Sequence, residues 1–188
     1  MTRIVGGAAG GRRLAVPPGR RTRPTSERAR EGLFSTLDAL CDGLEGTRVA
    51  DLYAGSGAVG LEALSRGAAH VLLVESDPKA LAVCRANAAA LGVPGAEVRA
   101  GRVERVVDEG PGGAACDVVF LDPPYDVADA AVTTLLAALR DGRWLAPGAV
   151  VVVERATRGP ALGWPDGYVG DRSRRYGEGT LWYGRARP

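Results

Sequence analysis

Two short stretches carry the residue types from which a reaction centre can be built. The first, DLYAGSGAVG at 51–60, sets Gly55, Gly57 and Gly60 in a G-x-G-x-x-G spacing, with Asp51 four residues ahead and Glu75 twenty beyond the first glycine. The second, DPPY, is Asp122, Pro123, Pro124 and Tyr125. Glycines let backbone N–H groups approach a ligand closely, and a helix opening there offers its positive N-terminus. A dinucleotide pyrophosphate suits that geometry; so does the carboxylate of a methionine moiety. Asp51 separates the two. A carboxylate ahead of the glycine turn repels pyrophosphate, whereas it can take up the ammonium of S-adenosylmethionine, directly or through water. Glu75 can receive ribose hydroxyls in either case and does not choose. The plainer alternative is that Gly57 and Gly60 only permit tight strand–helix packing.

The DPPY stretch favours the methyl donor. Two prolines fix the backbone and remove its donors, leaving rigid carbonyls. A ring-attached amine is a poor nucleophile because its lone pair is delocalised into the base. If the Asp122 carboxylate and the Pro123 carbonyl each accept one N–H, the nitrogen can pyramidalise and turn its lone pair toward a sulfonium methyl. Tyr125 offers a stacking face for an extruded base. Alone, D-P-P-Y also reads as an ordinary strand-to-loop turn with a core tyrosine.

These stretches need a scaffold, and the chain from residue 48 alternates short apolar runs with amphipathic segments. Strands are expected at 48–54, 70–76, 96–101, 116–122 and 148–156, with helices at 58–67, 78–92, 102–110 and 127–142. Continuous Val/Leu runs alternating with helices predict an α/β, Rossmann-like fold, a mostly parallel sheet covered on both faces. Ligands of such sheets sit beyond the carboxyl ends of the strands, where Asp51 and Asp122 both fall, on strands expected to be neighbours. After a Gly/Pro-rich loop at 158–167, the runs 168–177 and 180–186 predict an antiparallel edge pair. The head reads differently. Residues 3–7 and 12–16 form a small hairpin and 17–24 an extended basic linker. A helix follows over 25–41, capped by Thr25 or Ser26, with Ala29, Leu33, Phe34, Leu37 and Leu40 on one face. The expected division is 1–24 as an appendage and 25–188 as the main domain.

Charge is unevenly distributed. The net charge of +2 hides a head of eight Arg against one Glu in 1–30 and a tail of seven Arg against three acids in 155–188. The middle holds nine basic residues against eighteen acids. Basic flanks around an acidic body point to a polyanionic partner. Arg3, Arg12, Arg13, Arg20, Arg21 and Arg23 in the head, with Arg172, Arg174 and Arg175 in the tail, are the candidate phosphate contacts. Cys41, Cys84 and Cys116 are odd in number and lack C-x-x-C spacing, which argues against a disulfide framework or zinc site and for a reducing compartment. His70, the only histidine, opens an apolar run and reads as structural. No metal is expected. No long apolar segment or signal-peptide core is present, so a soluble, cytoplasmic protein is expected.

RIVGGAAGGRRLAVPPG, RPTSERAREGLF, DLYAGSGAVGLEALSRGA, VESD, DPPY and RRYGEGTL run nearly end to end through the chain. Together they resemble the RsmD-type bacterial methyltransferases that modify the N2 amine of a guanine in 16S ribosomal RNA. The resemblance implies a seven-stranded methyltransferase fold, S-adenosylmethionine as donor, and an RNA substrate presented within a partly assembled 30S subunit to a monomeric enzyme. It places Asp122, Pro123, Pro124 and Tyr125 at the target amine. The expected cofactor contacts are Asp51, Tyr53, Ala54, Gly55, Ser56, Gly57, Glu75, Ser76, Arg102, Val103 and Asp122. At 102 such enzymes often carry an acidic or amide side chain for the adenine amine, and Arg102 cannot accept that hydrogen bond. Backbone groups at Arg102 and Val103, or apolar contact, are left for it.

Three rivals stand beside this reading. A DNA adenine-N6 methyltransferase shares the DPPY chemistry but usually has a separate target-recognition domain, for which no residues are left. A non-enzymatic RNA-binding assembly factor would have no need of an intact DPPY. A nicotinamide dehydrogenase lacks a catalytic His/Lys constellation here.

Overall fold

A computed structural model describes residues 2–17 and 26–187. Two short strands, β1 (Thr2–Arg3) and β2 (Arg13–Leu14), pair antiparallel ahead of helix α1 (Glu27–Cys41). There follow β3 (Arg48–Asp51), α2 (Ala58–Ser65), β4 (His70–Glu75), α3 (Pro78–Leu91), β5 (Ala96–Ala100), α4 (Val103–Glu109) and β6 (Cys116–Leu121). The chain ends with α5 (Asp129–Asp141), β7 (Leu145–Ala156), β8 (Tyr168–Tyr176) and β9 (Gly179–Ala186). The main sheet has seven strands in the order β5-β4-β3-β6-β7-β9-β8. Strands β5 to β7 are parallel, and β9 runs antiparallel to both β7 and β8. The α/β, Rossmann-like expectation is borne out.

The strands are continuous apolar runs because both faces are covered. Val49, Val71, Leu73, Val118, Phe120, Val150 and Val152 pack on one side with α1, α2 and α3, while Ala50, Leu72, Val74, Val119, Leu121, Val151 and Val153 pack on the other with α4 and α5. Helix boundaries follow local chemistry. The Ser26 side chain accepts the Ala29 N–H at 3.1 Å; Thr25, the other capping candidate, lies outside the described residues. Asp77 caps α3 through the Ala80 N–H, and Gly92 closes that helix in the left-handed region.

Two expectations are adjusted and one is met. The strand predicted over 48–54 stops at Asp51, where the glycine loop begins. The antiparallel edge pair is borne out by β8 and β9, with β9 inserted between β7 and the outermost strand β8. The hairpin pairs only two residues per strand, because the backbone leaves the ladder for side chains of α2. Val5 and Gly6 give their N–H groups to the Glu62 carboxylate at 3.1 Å each, and Ala9 gives its N–H to Ser65 Oγ at 2.9 Å. Ile4, Ala9 and Leu14 join the same core as α1 to α3.

Helix α1 crosses the end of β8 at Gly32. A Cβ there would lie 1.9 Å from the Tyr176 hydroxyl, so any larger residue requires the half-buried Tyr176 ring to move. Among the described residues no helix is long and apolar enough to cross a membrane, and no His/Cys/Asp/Glu grouping could hold a metal.

Candidate active site

Strands β3 and β6 are parallel neighbours with Asp51 opposite Phe120, so the loops that follow them open at the same edge of the sheet. Adjacent strands lie about 4.8 Å apart, which brings the glycine turn and the DPPY turn side by side.

In the glycine turn, Gly55 and Gly57 hold positive φ angles of 56° and 81°. A Cβ on Gly57 would meet Cys84 Sγ at 2.9 Å. Asp51 is buried and accepts the Gly60 N–H at 3.0 Å, in the first turn of α2, a helix whose own N-cap residue is a glycine without a side chain. Burial pushes the Asp51 carboxyl up to about 7; the Gly60 N–H opposes the rise, the Glu75 charge adds to it, and the Tyr53 N–H opposes it again. Glu75 accepts the Gly55 N–H at 2.8 Å through one oxygen and the Ser76 and Asp77 N–H groups at 2.8 Å through the other. It therefore clamps the turn to the end of β4. Ala54 and Ser56 are buried within the turn, and Ser76 is exposed.

Tyr53 is half-buried between the start of α4 and the end of β7. Burial and Glu104 push its hydroxyl up to about 12, with Arg155 and Arg102 acting against them. The Arg102 side chain is largely exposed, 3.6 Å from Glu104, and no cap hydrogen bond is made by it. Val103, the first residue of α4, is buried.

At the second turn, Asp122 is half-buried, Pro123 buried and Pro124 exposed. Tyr125 is 54% exposed, the more exposed of only two large apolar side chains so presented among the described residues. Burial of its hydroxyl end, then the carboxylates of Glu154, Asp122 and Glu178, raise its pKa. A tyrosine packed as core would not stand out in this way, and the core reading of DPPY fails on that exposure.

The basic residues are dispersed. Arg3 pairs with Glu27 at 3.1 Å, and Arg13 is exposed on β2. Arg12 donates to the Leu91 carbonyl at 2.6 Å, at the C-terminal end of α3 and thus at the edge opposite the two turns. Arg20, Arg21 and Arg23 lie outside the described residues. Arg174 and Arg175 are exposed near the end of β8, which runs in the same direction as β7, so they stand at the edge that carries the turns. Arg172 sits further back, 2.6 Å from Asp171.

Two residues missed in the sequence support the turns. Asn87 on α3 donates to the Ser56 carbonyl at 2.8 Å and exchanges hydrogen bonds with both backbone groups of Ala15. The only hint was an asparagine inside a helix, where the residue has little local reason to be. Arg155 on β7 lies under the DPPY turn; nothing in VVVVERA distinguished it from a strand-end arginine.

A seven-stranded sheet with this order, a glycine turn between two acids and a proline-fixed acceptor turn beside it define a Rossmann-like methyltransferase. The model of the family described as conserved hypothetical protein 95 matches residues 2–185, and the chain belongs to that family. Ribosomal RNA small subunit methyltransferase D of Escherichia coli K12 is 38% identical over 157 residues, covering 81% of this chain and 73% of the relative. The protein of the same name from Haemophilus influenzae is 32% identical over 164 residues, covering 85% and 81%. Of the solved structures, yhhF of Escherichia coli matches with a TM-score of 0.85 at 30% identity, over 99% of this chain and 98% of its own. A hypothetical protein of Thermus thermophilus matches with a TM-score of 0.78 at 34% identity, over 97% and 98%. The resemblance read from the sequence is borne out.

Proposed function

We propose that the protein transfers a methyl group from S-adenosylmethionine to the exocyclic N2 amine of a guanine in 16S ribosomal RNA, acting as a cytoplasmic monomer on a partly assembled 30S subunit. The observation that carries this reading is the pairing at one sheet edge of a turn able to seat a methionine-bearing nucleoside with a turn able to accept two amine N–H bonds. The cradle fits the cofactor: its glycines leave no side chain in the approach, Asp51 supplies negative charge toward the ammonium, and Glu75 lies at the next strand end for the ribose. The backbone at Arg102 and Val103 takes the adenine. When bound, S-adenosylmethionine supplies an electrophilic methyl on a sulfonium.

The chain's own residues do the rest. Asp122 and the Pro123 carbonyl accept the amine protons and turn the nitrogen lone pair toward the cradle. Asp122 stabilises the positive charge that develops on nitrogen and is placed to take its proton. Pro124 stiffens the turn, and the exposed Tyr125 ring stacks on the extruded base. Residues 1–24 act as an RNA-contacting appendage to the domain formed by 25–188.

Labelled methyl transfer tests this, using small-subunit particles, free 16S RNA and duplex DNA from cells lacking the gene, followed by nucleoside digestion. N2-methylguanosine in the particles is expected. N6-methyladenosine in DNA instead would replace the reading with the DNA-modifying one.

Asp51 gives the cofactor step a pH signature. With its carboxyl at about 7 in the free protein, it is largely protonated below that pH. A bound ammonium favours the carboxylate, so binding must expel a proton there, and affinity falls by up to about tenfold per pH unit below about 7. Calorimetry between about pH 5.5 and 8 measures this slope, which Asp51→Asn should flatten. An unchanged slope in that variant would remove Asp51 from cofactor binding.

Arg174 and Arg175 give RNA binding a salt signature. Replacing both by Ala should weaken affinity for the particle and lower the slope of log K against log salt by about 1 per lost phosphate contact, leaving cofactor affinity unaltered. Identical salt slopes for the variant and the wild type would take the β8 end out of the RNA interface.

A further inference from the structure

The methyl-accepting turn is exposed and yet has to hold a fixed shape. Pro124, Tyr125 and Asp126 are all exposed, and the closing contact within the turn is the Val127 N–H to the Pro124 carbonyl at 3.0 Å. Helix α5 begins immediately afterwards at Asp129, with Ala128 at its N-cap position and no side-chain cap hydrogen bond there. Left to itself, such a segment would flex, and the amine acceptors with it.

The anchor comes from the neighbouring strand. Leu121 of β6 pairs with Val153 of β7, so β7 runs on beneath the turn, and Arg155 points to the same face as Val153, toward α5. Arg155 is only 9% exposed. Its Nη2 donates to the Val127 carbonyl at 2.6 Å and to Asp129 Oδ1 at 2.8 Å, and its Nε donates to the same carboxylate oxygen at 3.1 Å. Nη1 reaches the Pro124 carbonyl at 3.5 Å, the limit of a hydrogen bond. One rigid guanidinium thus holds both ends of the turn and the first residue of the following helix. A planar fork reaches these acceptors from three separate nitrogens, whereas a lysine ammonium would have to reach them all from one.

We propose that Arg155 is the positioning residue of the amine-accepting turn: by tying Pro124, Val127 and Asp129 to the end of β7, it fixes the Pro123 carbonyl and the Tyr125 ring in the orientation that the target base requires. It touches neither base nor methyl donor. The inference rests on the amino-methylating reading of this site. It differs from general stabilisation in what it predicts: disorder confined to one turn, and a loss in turnover rather than in cofactor affinity.

The test compares the wild type with Arg155→Met, Arg155→Lys and Asp129→Asn, using small-subunit particles from cells lacking the gene. Arg155→Met should lower kcat by about a hundredfold, the scale of a misplacement of about 1 Å, with the Kd for S-adenosylhomocysteine within about twofold of the wild type. Arg155→Lys should recover part of that loss, and Asp129→Asn, which leaves both carbonyl contacts, should cost least. Amide exchange should speed up in the peptide covering 122–129 and stay unchanged in the peptide covering 51–60. If Arg155→Met is too unstable to purify, the Lys and Asn variants carry the comparison. The inference is overturned if kcat stays within about threefold of the wild type in the purified variants. It is equally overturned if turnover falls only in step with cofactor affinity and folded fraction. A wild type inert on the particles would overturn the reading of the site and this inference with it; an active wild type with unaffected variants overturns this inference alone.

Discussion

Replacing Asp122 by alanine is expected to slow methyl transfer by about two to three orders of magnitude, the usual cost of removing a group aimed at charge developing in the transition state. The effect arises at the target amine. Its lone pair becomes available only as the nitrogen pyramidalises, and that nitrogen turns positive as the new bond forms. Asp122 is the charged acceptor of the turn, and the Pro123 carbonyl the neutral one. Alanine removes both alignment and charge. Asparagine keeps an acceptor oxygen without the charge, so its loss should be smaller, and the difference between the two variants measures the electrostatic part. Single-turnover rates with bound cofactor isolate the step. Because the cradle is built on β3 and β4 rather than on this turn, most of the loss should appear in kcat. An alanine variant that turns over like the wild type would leave the DPPY turn without a catalytic role.

Replacing Glu62 by alanine should destabilise the fold by about 3–5 kcal/mol, the cost of stranding a buried charge. Glu62 and Arg30 are both fully buried, with Arg30 Nε 2.9 Å from the carboxylate. The same carboxylate receives Arg66 Nη2 at 3.0 Å and the N–H groups of Val5 and Gly6, so one side chain joins the hairpin, α1 and α2. Without it, Arg30 keeps Thr2 Oγ1 at 3.2 Å and the Arg3 carbonyl as partners but loses its salt-bridge partner among the described residues. For a chain of this size the loss corresponds to a fall in Tm of roughly 10 °C. Thermal melting reads it, and limited proteolysis should show new cuts near residue 16 as the hairpin detaches. A Glu62→Leu, Arg30→Met double variant should recover only the part due to the stranded Arg30 charge, since the Val5 and Gly6 N–H groups and Arg66 still lose their acceptor. A Glu62→Ala protein melting within a degree or two of the wild type would mean that the hairpin is held by its apolar contacts alone.

The main sheet was legible because its strands are unbroken apolar runs separated by helices with clear starts and stops, and the two reactive turns because their residues are rare in combination. Proximity across the sequence was not. Glu62 in LEALSRG reads as a solvated position on a helix; only the folded chain places Arg30 and two hairpin N–H groups against it. Gly32 reads as a weak point in α1 until Tyr176, far along the chain, is set beneath it. The order β7-β9-β8 follows from which strand can bury Leu181 and Tyr183, both in the core, whereas β8 exposes nearly all its length. Alternation within either run does not reveal that difference. Asp51 was legible as an acid beside the cradle, but not as the carboxylate that closes the first turn of α2.

A crystal structure with S-adenosylhomocysteine bound bears most directly on the central claim, that one sheet edge brings a methyl donor and an amine-accepting turn together. The predicted result has the homocysteine end against Gly55 and Gly57, the ribose hydroxyls at Glu75, and the sulfur facing the cleft between the glycine turn and Asp122–Pro123. Density for the ligand at any other edge of the sheet, or a sulfur turned away from Asp122, would contradict it.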